Sequence, residues 1–176
     1  MSTYPHLRFA FCRRHGQWLG DTQRQGVLDA ELWKAERLFR RLVSVGRVDA
    51  ELYEGTWDVV RDHAYMVGEA ARPARLRQAL NRSEFTVGVD DRIALFTQTV
   101  LALTAVTREA TIEAARLRTG GRTAMTMLAE DLQWAGAENW LLVNGLYRLI
   151  QRDAHQRLER EWIAPGAIGP TTRVLA

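Results

Sequence analysis

Cys12-Arg13-Arg14-His15-Gly16 is a short stretch with metal-ligand spacing. A thiolate and an imidazole three positions apart supply two corners of a tetrahedral zinc site. The other two corners need a second such pair, and His6 upstream offers at most a third ligand. Cys12 is the only cysteine, which excludes a disulfide framework and a four-cysteine zinc site. The expectation is therefore no bound metal, with Cys12 and His15 the residues to watch. Glu109 and Glu113 stand one helical turn apart and could act as an acid–base pair. With Arg108 and Arg116 beside them, surface ion pairing is the simpler expectation.

Catalytic signatures are missing. The chain has no G-x-G-x-x-G, no phosphate-binding G-x-x-x-x-G-K, no G-x-S-x-G and no H-E-x-x-H. Its three serines (Ser2, Ser44, Ser83) lie outside any strand-to-helix elbow. Neither His63 nor His155 follows a glutamate by three residues, as a di-iron helix bundle requires. A binding protein without cofactor is the expectation.

Arginine dominates the remaining chemistry. Lys34 is the single lysine among 24 basic side chains, and the formal net charge is +3. Guanidinium groups favour two-pronged pairing with carboxylate or phosphate. Residues 5–47 carry nine basic side chains against four acids, and residues 48–71 carry six acids against Arg61. Residues 72–82 turn basic again through Arg72, Arg75, Arg77 and Arg82. Such alternation means either neighbouring helices whose charged faces pair, or two basic segments open to an anionic partner. On the second reading Arg13, Arg14, Arg37, Arg40, Arg41, Arg72, Arg75 and Arg77 are the contact candidates. Of the six tryptophans, Trp57 and Trp140 fall on apolar stripes and are expected in the core. Trp33, off its stripe and beside Lys34 and Arg37, joins the contact candidates.

The elements that must position these residues are helical. Leu28, Leu32, Ala35, Phe39 and Leu42 recur at spacings of four and three, one face of a helix that Gly46 should terminate. Asp49 is placed to cap a second helix with buried Tyr53, Trp57, Val60, Ala64 and Val67. Pro73 opens a short third helix, and 83–89 reads as an extended connector. The longest stripe runs Ile93, Phe96, Val100, Leu103, Thr107, Ala110, Ala114, Leu117, predicting one pillar helix from Asp90 to Gly120-Gly121. Its small residues Ala110 and Ala114 predict a close helix approach there. A helix near 123–135 ends at Gly136, and a last one over 137–162 presents Trp140, Val143, Tyr147, Ile150, Ala154 and Leu158. Before them, Leu7–Phe11 alternates as a short strand, followed by a loop through Gly16 and Gly20.

The stretch from His6 to about Val45, H-L-R-F-A-F-C-R-R-H-G-Q-W-L-G followed by a basic apolar helix, resembles the zinc-finger region of TniQ-like transposon-associated proteins. Only Cys12 and His15 fall on that family's ligand positions. The resemblance implies a role in adapting transposition machinery to its target.

The composition, 47% apolar and 26% charged, is that of a globular domain rather than a disordered chain. No apolar run reaches a membrane-spanning length, and the first residues lack a secretory pattern, so a cytoplasmic protein is expected. The chain divides into an extended segment over 1–26 holding the degenerate Cys-x-x-His motif, a helical bundle over 27–163, and a tail over 164–176. The fold class is all-α, a bundle of five or six helices with a short extended N-terminal segment. The leading function is a non-enzymatic accessory protein contacting nucleic acid or a nucleoprotein partner through arginine-rich faces. The alternatives are a helical small-molecule binder or enzyme with an aromatic-lined pocket, or a structural assembly subunit docking a protein partner. An acidic second helix would be repelled by DNA, so phosphate contact by the basic segments is expected rather than base reading.

Overall fold

The computed structural model describes the backbone over residues 10–12, 17–19, 30–82, 85, 87, 90–117, 120–136 and 139–163, and side chains from 30 to 153 within those ranges, Trp134 apart. Two short strands, β1 (Ala10–Cys12) and β2 (Gln17–Leu19), pair antiparallel with Phe11 opposite Trp18 and Cys12 opposite Gln17. The second strand falls where the sequence reads as loop. His15, Arg13, Arg14 and the tail 164–176 lie outside the described residues.

The rest is all-α. Helix α1 (Ala30–Ser44) buries Leu32, Ala35, Phe39 and Leu42. It stops at Gly46, whose φ of 70° suits a residue without Cβ. Gly46 N–H donates to Val43 O and Arg47 N–H to Leu42 O, both at 3.0 Å, so the last carbonyls are satisfied within two residues. Asp49 then caps α2 (Ala50–Met66), its Oδ1 accepting from Leu52 N at 2.8 Å. All five residues expected on the α2 face, Tyr53, Trp57, Val60, Ala64 and the following Val67, are buried. A 3-10 turn (Glu69–Ala71) and Pro73 lead into α3 (Ala74–Leu80), anchored by Leu76. Of the connector over 83–89 only Phe85 and Val87 are described, and Phe85 packs on the core.

The pillar is shorter than its stripe. Helix α4 spans Asp90–Val106 and α5 spans Glu109–Arg116, with the break at Thr107 and Arg108. Thr99, Thr104 and Thr107 each turn a hydroxyl back onto the carbonyl four residues earlier, at 3.0, 2.9 and 2.7 Å. Such back-bonding bends helices, and Arg108 completes the break with an extended ψ of 125°. Its guanidinium is held outside by Asp131, Nη1 lying 2.9 Å from both carboxylate oxygens. Past the break Ala110 faces solvent and Leu117 is 64% exposed, contrary to the stripe. Gly120, expected to end a helix, instead precedes α6 (Gly121–Asp131).

A 3-10 turn (Gln133–Ala135) and Gly136, at φ 76°, connect α6 to α7 (Trp140–Ile163). The described residues thus hold seven α-helices, one more than six because the pillar divides. Helix α4 packs against all six others. It buries residues on every side, Leu95, Phe96, Val100, Ala102 and Leu103 among them, as a central helix must. Of the close approach expected at Ala110 and Ala114, Ala110 is exposed, but Ala114 is buried where Gly120 comes too near its carbonyl to admit a Cβ, and a further close approach lies between α2 and α7. A Cβ on Gly55 would stand 2.8 Å from Leu149 Cδ1, and one on Gly145 2.7 Å from Val59 Cγ1. The buried face of α7 is Leu142, Val143, Leu146, Leu149 and Ile150, and Trp140 stands at its outer edge, 61% exposed.

Candidate functional site

Helix α1 buries its apolar stripe on α4, which turns its basic side chains outward. Lys34, Arg37 and Arg41, at positions i, i+3 and i+7, share the solvent side and are all exposed. None of the three makes an ion pair among the described residues. Arg40 differs. Its guanidinium is bound to Glu36, a carboxylate only 2% exposed, one turn earlier in the same helix.

The acids of α2 are occupied elsewhere. Arg61, on α2 itself, bridges Asp58 at 3.1 Å and Asp62 at 2.9 Å. Burial works against the Arg61 charge, but the Asp62 hydrogen bond and both carboxylates outweigh it and hold its pKa above the ordinary arginine range. Glu54 is taken by Arg92 of α4, at 2.8 Å. Trp57 lies between these two arginines, their guanidinium carbons 4.5 Å and 4.0 Å from its ring centre. Three of the α2 acids, Glu54, Asp58 and Asp62, are therefore paired within α2 and with α4.

The second basic segment meets the first. Arg75 of α3 reaches Glu31 at the start of α1, 3.7 Å away, and burial lowers its pKa. Arg77 is exposed and makes no ion pair among the described residues. Arg72 is half-buried, its Nη2 directed at Tyr65 O at 3.5 Å. Of the described contact candidates, Arg37, Arg41 and Arg77 are open to solvent, Arg40 and Arg75 are paired, and Arg72 and Trp33 are half-buried.

Two of the clefts among the described residues hold residues singled out in the sequence. One, of about 420 Å³, lies between α1, α2, α4 and the turn before α3. Its walls include Ala35, Leu38, Val60, Ala64 and Val100, with Lys34, Arg72, His63, Thr97 and Gln98 among its polar lining. Among the described residues, no aromatic ring other than the His63 imidazole lines it. The signal for it in the sequence was Thr97-Gln98, a polar interruption in the most deeply buried helix. The other cleft, about 300 Å³, is lined by Glu109, Glu113, Arg47, Arg116 and Asp153 together with Ile112. Glu109 and Glu113 are exposed there and form no ion pair among the described residues, because Arg108 is engaged with Asp131.

Among the described residues no group of three or more His, Cys, Asp or Glu side chains could hold a metal. No helix among them is long and apolar enough to cross a membrane. No family model matches the chain, and neither a curated protein nor a solved structure matches it.

Proposed function

We propose that the protein is a cytoplasmic, non-enzymatic accessory factor that contacts the phosphate backbone of nucleic acid, alone or within a nucleoprotein complex, through the exposed basic side of α1. The observation that carries this reading is the pairing pattern. Glu54, Asp58 and Asp62 are bound by Arg92 and Arg61, so Arg37 and Arg41 keep their charge facing solvent. Arg77 of α3 extends the basic surface on an element tied to α1 through Arg75 and Glu31. Unpaired guanidinium groups on a rigid helix suit phosphate oxygens, which accept their forked donors. The resemblance of the Cys12–His15 stretch to TniQ-like proteins supports a transposition complex as the setting. A mixed-sequence duplex should be retained at low salt and released by Arg37→Glu/Arg41→Glu, with the melting temperature unchanged. Equal retention of the variant would refute the assignment.

A further inference from the structure

The cleft between α1, α2 and α4 adjoins the basic side of α1 at Lys34 and has the makings of a second site. Its volume of about 420 Å³ lies in the range of small-molecule pockets, a few hundred to about 1,000 Å³. Much of the lining is aliphatic, and two cations stand in it. Lys34 is exposed and makes no ion pair among the described residues, and half-buried Arg72 lines the same cleft. The carboxylate in the lining, Glu31, is offset by Arg75 at 3.7 Å. Three lining residues, Thr97, Gln98 and Arg72, have buried polar atoms (Oγ1, Oε1 and Nε) without a hydrogen-bond partner among the described residues. Leaving such groups unpaired costs about 1–3 kcal/mol each, a cost that a ligand removes when it supplies the partner. Native folds retain few groups of this kind, and here three belong to residues that line one cleft.

We propose that this cleft binds an amphipathic carboxylate, an aliphatic body ending in a single carboxyl group. The aliphatic body lies against Leu38, Val60, Ala64 and Val100. The carboxylate meets the Lys34 ammonium and the Arg72 guanidinium, and a hydroxyl or amide on the body would satisfy Thr97 and Gln98.

Decanoate and decanol, both below their aggregation concentrations, separate the apolar from the charged contribution. Calorimetric titration of the full chain should show decanoate binding at least tenfold more tightly than decanol, with backbone amide shifts at Thr97 and Gln98. Lys34→Met, at an exposed position, should leave the fold intact and weaken the preference for decanoate without abolishing it, since Arg72 remains. No decanoate binding by the unmodified protein, equal affinity for acid and alcohol, or a preference unchanged in Lys34→Met would each overturn the proposal. So would amide shifts confined to α6 and α7.

Discussion

Arg92 of α4 grips Glu54 of α2 with two parallel hydrogen bonds, Nη1 to Oε1 at 2.9 Å and Nη2 to Oε2 at 2.8 Å. The same guanidinium stacks 4.0 Å from the centre of the Trp57 ring. One side chain thus joins the pillar to α2 twice, and it removes an acid that could otherwise have faced α1. The two-pronged geometry favours this pair over an ordinary surface contact, although Glu54 remains 43% exposed and screened by water. Arg92→Ala should cost about 1–2 kcal/mol, the ion pair and the cation–π contact together. Urea unfolding reads this directly, and an unchanged midpoint would show that the contact contributes nothing to stability.

Tyr53 gives a prediction of opposite sign. Its ring is buried against Phe39, 5.3 Å between centres, while its hydroxyl has no hydrogen-bond partner among the described residues. Tyr53→Phe should leave stability unchanged or raise it by up to about 1 kcal/mol, because it deletes an unsatisfied group. A clear loss on thermal unfolding would mean that the hydroxyl is engaged.

Burial also pushes the Tyr53 phenol well above its ordinary pKa; Arg92 pulls it down, and Glu54 adds a smaller upward push. Tyr65 is raised in the same direction by burial and by Asp91. A raised folded pKa means stability that is complete below the unfolded value of about 10 and lost as pH rises beyond it. Stability measured from pH 8 to 11 should therefore fall at the alkaline end, and less steeply in Tyr53→Phe. An identical slope in the variant would remove Tyr53 as a cause.

The approach of α2 to α7 should tolerate no added volume. Gly145→Val would press on Val59, itself stiff at χ1, and should cost about 1–3 kcal/mol. Ala110→Leu, at an exposed position past the pillar break, should fall within about 0.5 kcal/mol of the unmodified protein. Melting curves of the two variants should separate clearly. The reverse order would restore the sequence expectation of close packing at Ala110.

Where a helix buries one face, its sequence spacing located that face. Leu32, Ala35, Phe39 and Leu42 in α1, and Tyr53 through Val67 in and after α2, are buried as their periodicity requires. The stop at Gly46 and the cap at Asp49 were legible because both are local hydrogen-bond patterns. Helix α4 was legible as a pillar starting at Asp90, with Phe96, Val100 and Leu103 buried, but its end was not, since apolar spacing carries no trace of threonine hydroxyls competing for backbone carbonyls. Trp140 misled for a related reason, because its phase along α7 is close to that of Val143 while its height lies beyond the core. The arginines of the candidate surface were visible in the sequence, but their partners only partly. Glu36 and Arg40, four residues apart, could have been paired from spacing alone. Glu54 and Arg92, 38 residues apart, could not. That distinction changes which arginines matter, because replacing Arg40 would break an ion pair with a buried carboxylate, whereas replacing Arg37 or Arg41 breaks none among the described residues.

The salt dependence of duplex binding tests the central claim most directly. Each phosphate contact contributes a slope of about −0.9 to the log–log dependence of affinity on salt. If Arg37 and Arg41 each neutralise one phosphate, Arg37→Glu/Arg41→Glu should flatten the slope by about 1.8 and weaken binding alike for unrelated duplex sequences. Circular dichroism and melting should stay unchanged, since both side chains are exposed and neither forms an ion pair among the described residues. A protein that shows no salt-sensitive retention at all, or a variant whose slope equals that of the unmodified chain, would contradict the account.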